Sequence, residues 1–195
     1  MDIYTAVKKE KKHFKTFLVT MFIISIILPV ALILTGLTNA FYIGYLIFVE
    51  FLIVIAVIIR FNSYSVEYRC MNNKLIFKTG IFTREYLIIC DRVVLVHTNK
   101  SDYDLEIVII TNVAFKNKAL RKVESDFLKR YPQVNKEFKR IKQLNPEKNY
   151  YFQLIRIGGL KKYLLLDCIY KNCVKAIYTD DSIQNIKIAR GQTIV

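Results

Sequence analysis

No charged residue occurs between Lys15 and Glu50 of this 195-residue chain. That gap excludes an ordinary solvated segment and leaves the hydrocarbon of a bilayer as the natural surroundings. Histidine is nearly as scarce. His13 sits in a basic leader and His97 at the end of an expected strand, and neither neighbours a Ser or Cys in a nucleophile motif, so no recognisable hydrolase constellation is present. The four cysteines, Cys70, Cys90, Cys168 and Cys173, are too few and too irregular for a secreted disulfide framework, and a reducing cytosol would keep them as thiols. Cys168 and Cys173 lack a second pair or a nearby His, which makes a poor zinc site. Glycine is sparse too, and Gly158-Gly159 has neither the strand-to-helix context nor the Lys of a phosphate-cradling loop. No metal and no cofactor is implied.

What is there begins with two apolar segments, residues 17–37 and 41–59. At about 1.5 Å of rise per residue, roughly 20 apolar residues cross about 30 Å of hydrocarbon, and both segments come close to or meet that length. A cleaved signal peptide is the rival for the first, since Lys8, Lys9, Lys11, Lys12 and Lys15 precede it. Its apolar run exceeds the usual h-region, and a second run follows where a cleavage site and a mature domain would stand. The expected structure is a retained transmembrane hairpin, turning at Thr38-Asn39-Ala40 after Gly36. Lys-rich ends stay on the cytoplasmic side, so the leader and Arg60 place both termini in the cytoplasm of a multi-pass protein of the cell membrane. Pro29 is expected to kink the first helix. Glu50 lies near the middle of the second segment. A carboxylate there must be neutralised, paired or turned toward protein, either to a partner helix or, within the hairpin, to Ser25 or Thr20.

The 135 residues after Arg60 suit one compact domain. Residues 64–70, 74–79, 86–90, 93–97 and 105–111 are short, rich in Ile, Val, Tyr and Phe, and separated by turns, which predicts an antiparallel meander. Met71-Asn72-Asn73 is a plausible hairpin turn, because Asn tolerates positive φ. From Lys118 the period changes. Leu120, Val123, Phe127 and Tyr131, then Val134, Phe138 and Ile141, fall three and four apart and predict helices over 119–131 and 132–143, with Pro132 in a first turn, or one kinked helix. Residues 150–157 and 163–168, joined through Gly158-Gly159, are expected as a closing hairpin before a mixed tail. The expected division is a basic cytoplasmic leader (1–16), a transmembrane hairpin (17–60) and a cytoplasmic α+β domain (61–195), with strands over 64–111, basic helices over 118–143 and a C-terminal hairpin and tail over 150–195.

The turn Gly80-Ile81-Phe82-Thr83-Arg84 after the second strand, and the step Asp91-Arg92-Val93-Val94-Leu95-Val96 into a Val-rich strand, resemble the bacterial pleckstrin-homology-like module that follows a pair of transmembrane helices in many small membrane proteins. The resemblance covers residues 17–111. The family's domain usually closes soon afterwards with a single helix, whereas here a basic helical region and some fifty further residues follow. The resemblance implies a membrane-anchored α+β protein that is a scaffold and not an enzyme, since such folds bind proteins, peptides or lipids.

Charge adds a second clue. The chain carries 30 Lys and Arg against 16 Asp and Glu, and Lys116, Lys118, Arg121, Lys122, Lys129, Arg130, Lys136, Lys139, Arg140 and Lys142 crowd one stretch. A basic helix face is often merely solvated. Against an anionic leaflet, however, each such cation contributes up to about 1 kcal/mol. Nucleic acid would attract the same patch, but no recognition motif for it is present. Two readings follow. In the first, the chain is an interaction subunit that meets a protein partner, or another copy of itself, through the hairpin, Glu50 and its cytoplasmic domain; in the second, it is a peripheral sensor of anionic lipid that uses the basic stretch.

Overall fold

The computed structural model describes residues 2–36, 39–101, 104–114 and 117–192. Leu37 at the end of the first apolar segment, Thr38 of the expected connection and Lys116 of the expected basic cluster lie outside the described residues.

Two long helices, α1 (Ile3–Leu34) and α2 (Ala40–Tyr64), open the chain. Their most apolar windows have mean hydropathies of 2.9 and 2.7, and 0% of either window is buried. A core helix of a soluble domain would bury such residues; these leave Phe22, Ile27, Ile33, Phe48 and Phe51 exposed, as a pair of helices crossing a membrane must. α1 also continues well before the apolar run. The expected leader is helical, and its first turn enters the domain, where Ile3 and Ala6 are buried in the main core with Val7 packed beside them. Removing the first segment as a signal peptide would take Ile3 and Ala6 out of that core.

The domain is α+β. β1 (Val66–Met71), β2 (Lys74–Thr79) and β3 (Tyr86–Ile89) form an antiparallel three-stranded sheet. Asn72 and Asn73, with φ of 49° and 64°, make the expected β1–β2 turn. A short 3₁₀ turn, Cys90–Arg92, leads into a second sheet built on β4 (Val93–Ser101) and β5 (Asp104–Thr111). It is completed by β6 (Arg121–Lys122), β7 (Tyr151–Ile155) and β8 (Ile177–Tyr178), in the order β6-β7-β5-β4-β8. The β4–β8 pair is parallel, so the sheet is mixed and not wholly antiparallel as expected.

Both faces of this sheet are covered. Along β5, Leu105, Ile107 and Ile109 face one core, and Val108 and Ile110 face another, as the two-residue period of a strand requires. The first core lies under α5 (Lys161–Asn172), α6 (Asp180–Ala189), the three-stranded sheet and the start of α1. The second lies under α3 (Ser125–Arg130) and α4 (Pro132–Leu144), with Pro132 in the first turn of α4. Each fully buried Leu, Ile or Val contributes roughly 1.5–3 kcal/mol of transfer free energy.

Two local expectations are corrected. The first basic helix starts at Ser125 and not near Ala119, because residues 121–122 pair with Tyr151 and Phe152 as an edge strand. Residues 163–168 are helical and not a strand: buried Leu165, Leu166, Ile169 and Cys173 recur at helical spacing and pack on the core. Packing of α5 on β1 also brings Cys70 and Cys168 side by side, with Cα atoms 7.1 Å apart, while Cys90 and Cys173 are free and buried.

Candidate membrane-proximal collar and basic groove

Where the two helices leave their apolar segments, three glycine-bearing loop positions close on them. Gly80, at φ +85°, donates its N–H to the Ser65 carbonyl at 2.6 Å, and Ile81 donates to Asn62 Oδ1 at 2.9 Å. A Cβ at Gly80 would lie 2.5 Å from Asn62 Oδ1. Gly158, at φ +135°, donates to the Ser63 carbonyl at 3.1 Å, and a Cβ there would stand 2.7 Å from Val66 Cγ2. Next to it, Gly159 abuts Glu10 of α1. The Glu10 carboxylate accepts the Leu160 N–H at 3.2 and 3.3 Å, supplying an acceptor at the start of α5, which has no side-chain cap of its own. Burial pushes the Glu10 carboxyl up, against the opposing pull of the Leu160 amide, Lys161 and Arg60.

Aromatic side chains ring the same level. Phe14 packs on Phe61 and Tyr64 with centroids 5.6 and 5.3 Å away, and the Arg60 guanidinium lies 4.8 Å from the Tyr64 centroid. Aromatic rings and an Arg at the end of an apolar span are the pattern expected of a membrane–water interface. α1 and α2 are therefore held to the domain by backbone hydrogen bonds and packing, not by a slack linker.

Inside the apolar span, the Ser25 hydroxyl donates to Glu50 Oε2 at 2.5 Å, the bond within the hairpin that the sequence allowed. The other oxygen, Oε1, is buried and has no partner among the described residues.

The basic residues do not share one face. Arg121 and Lys122 on β6 and Arg130 at the end of α3 line an open groove of about 540 Å³ with Arg156 and the carboxylates of Glu124 and Asp126, around the stacked rings of Phe127 and Phe152, whose centroids are 3.9 Å apart. Lys129 pairs with Asp126 at 3.4 Å and Arg140 with Glu137 at 3.1 Å. Lys136 borders a separate cleft beside Tyr178 and Asp180. Lys142 donates to the Lys148 carbonyl at 2.9 Å, and Lys118 and Lys139 are exposed. Arg156 escaped the sequence reading; it reaches the groove only because β7 lies beside β6, and Glu106 holds it at 2.5 Å.

His97 is buried, its Nδ1 2.9 Å from the Thr179 hydroxyl. Burial pushes its imidazole down, against Asp181 and Glu106.

Compared with protein-family models, curated proteins and solved structures, the chain matches none.

Proposed function

We propose that this chain is a membrane-anchored interaction subunit, binding rather than catalysing, that meets a protein partner through the hairpin and through a pleckstrin-homology-like domain at the cytoplasmic face. The unpartnered Oε1 of Glu50 carries this reading. A buried acceptor without a donor is costly, and in hydrocarbon it calls for a donor from a neighbouring helix. The collar supports it, because a domain fixed to both helix roots transmits any rearrangement of the hairpin. No reaction is assigned; His97 is enclosed and hydrogen-bonded in the domain interior.

The test is mild-detergent purification of the intact chain with mass spectrometry of what elutes with it. A stoichiometric membrane partner lost in Glu50→Leu supports the reading, and a partner retained in Glu50→Leu contradicts the role given to Glu50. A second reading, binding of anionic lipid, rests on the groove, where Arg121, Lys122 and Arg130 have no acidic partner among the described ion pairs. In nanodiscs, that reading requires residues 121–130 to gain hydrogen-exchange protection with anionic lipid, to lose it as salt rises, and to lose it in the triple Glu variant of those three cations.

A further inference from the structure

The loop between β2 and β3 carries an exposed apolar side chain that neither core uses. Phe82 is 79% exposed, although it lies between half-buried Ile81 and Thr83. The loop is braced at both shoulders. Gly80 and Ile81 bond to Ser65 and Asn62, and the Thr83 hydroxyl donates back to the Thr79 carbonyl. Phe82 is thus presented outward by a loop with little freedom to fold it away. Arg84, two residues on, is exposed and takes part in no ion pair among the described residues.

Its tether fixes the depth of this loop. Asn62 comes two positions after Arg60, where the apolar run has just ended and the interfacial rings of Phe61 and Tyr64 stand. At about 1.5 Å per residue, Asn62 lies roughly 4–5 Å beyond Ile59, the last residue of the uninterrupted apolar run. The headgroup layer is itself about 5–7 Å thick on each side of a bilayer, so the atom that binds the Ile81 N–H is within it. Phe82 is the next residue after Ile81.

We propose that Phe82 is a membrane-interface anchor, inserting its ring at the boundary between headgroups and acyl chains of the bilayer that the hairpin spans, with Arg84 beside it at phosphate level. An exposed ring next to a free guanidinium is the combination that such an interface accepts. The hairpin and this loop then contact one membrane at two points and fix the tilt of the domain above it. The proposal rests on the hairpin spanning the bilayer.

The chain has no Trp, so a single introduced Trp reports its own surroundings. Phe82→Trp, Phe48→Trp in the span and Leu144→Trp at the end of α4 are reconstituted as full chains in nanodiscs containing lipids brominated either near the headgroup or deep in the acyl chain. Leu144 is 80% exposed and ends α4, whose Lys142 lies over the Tyr150 ring, at the other end of β7 from the collar. The anchor predicts that Trp at position 82 is blue-shifted on reconstitution and quenched more by shallow bromine than by deep. Trp at position 144 should show neither change. Trp at position 48 should be quenched by deep bromine. Quenching at 48 but none at 82 overturns the anchor alone. An unquenched position 48 overturns the spanning hairpin, and the anchor with it. Should Phe82→Trp misfold, Arg84→Trp gives the same readings from the same loop.

Discussion

At Gly80 one hydrogen atom in place of a methyl group decides whether the domain can sit on α2. The left-handed φ alone disfavours any L side chain, and Asn62 Oδ1 occupies the space a Cβ would need. Gly80→Ala should cost about 1–3 kcal/mol, read as a lowered melting temperature of the full chain in detergent; an unchanged melt would mean that the loop does not close on Asn62. His97 makes a prediction in pH. Because burial depresses its folded-state pKa below the ordinary value of about 6.5, the unfolded chain takes up a proton there that the folded chain does not. The unfolded state binds more protons in that window, so stability rises with pH through it and is lost as pH falls from 7 toward 5. Asp181, Glu106 and the Tyr131 ring face the same imidazole. His97→Asn should flatten the slope of melting temperature against pH relative to the unaltered chain, and an identical slope would remove His97 from the account.

Among the elements, α1 joins what the sequence separates. Its first turn is a core element followed by a basic stretch and then the apolar span, so Ile3→Ala should destabilise a domain that begins more than sixty residues later. The expected loss is about 2–4 kcal/mol in denaturant unfolding of the full chain; a loss under about 0.5 kcal/mol would mean the turn is not docked. Much at this scale was legible. The two apolar runs and the short stretches rich in Ile, Val, Tyr and Phe announce the hairpin and the first five strands, and Asn72-Asn73 announces its turn. The first turn of α1 had a readable signal as well, since Ile3, Ala6, Val7 and Glu10 fall on one helical face, but the surrounding lysines suggest a solvated leader. α5 was misread because Tyr163 to Leu166 is a short apolar run, in which strand and helix differ only if Ile169 and Cys173 are counted. Gly158-Gly159 signals a chain reversal but not that the turn packs on α1 and α2. The groove was half legible, because Arg156 joins Arg121 and Arg130 only through strand order, which a local pattern does not contain.

For the molecule as a whole, the central claim is that a transmembrane hairpin and an α+β domain form one body, joined at the collar. Orientation is one test at this scale. In a reducing cytosol Cys70 and Cys168 stay thiols although they stand side by side, so trapping with an alkylating agent at lysis should label both; recovery of a linked 70–168 peptide pair from cells would contradict a cytoplasmic domain. The most direct test of the joined body is hydrogen exchange by mass spectrometry on the intact chain in nanodiscs. Docked as described, the amides of residues 6–10, the first in α1 with backbone acceptors, should exchange as slowly as β4 and β5, and Ile3→Asp should release them. If residues 6–10 exchange within seconds while β4 and β5 stay protected, the helix roots are free and the account is wrong.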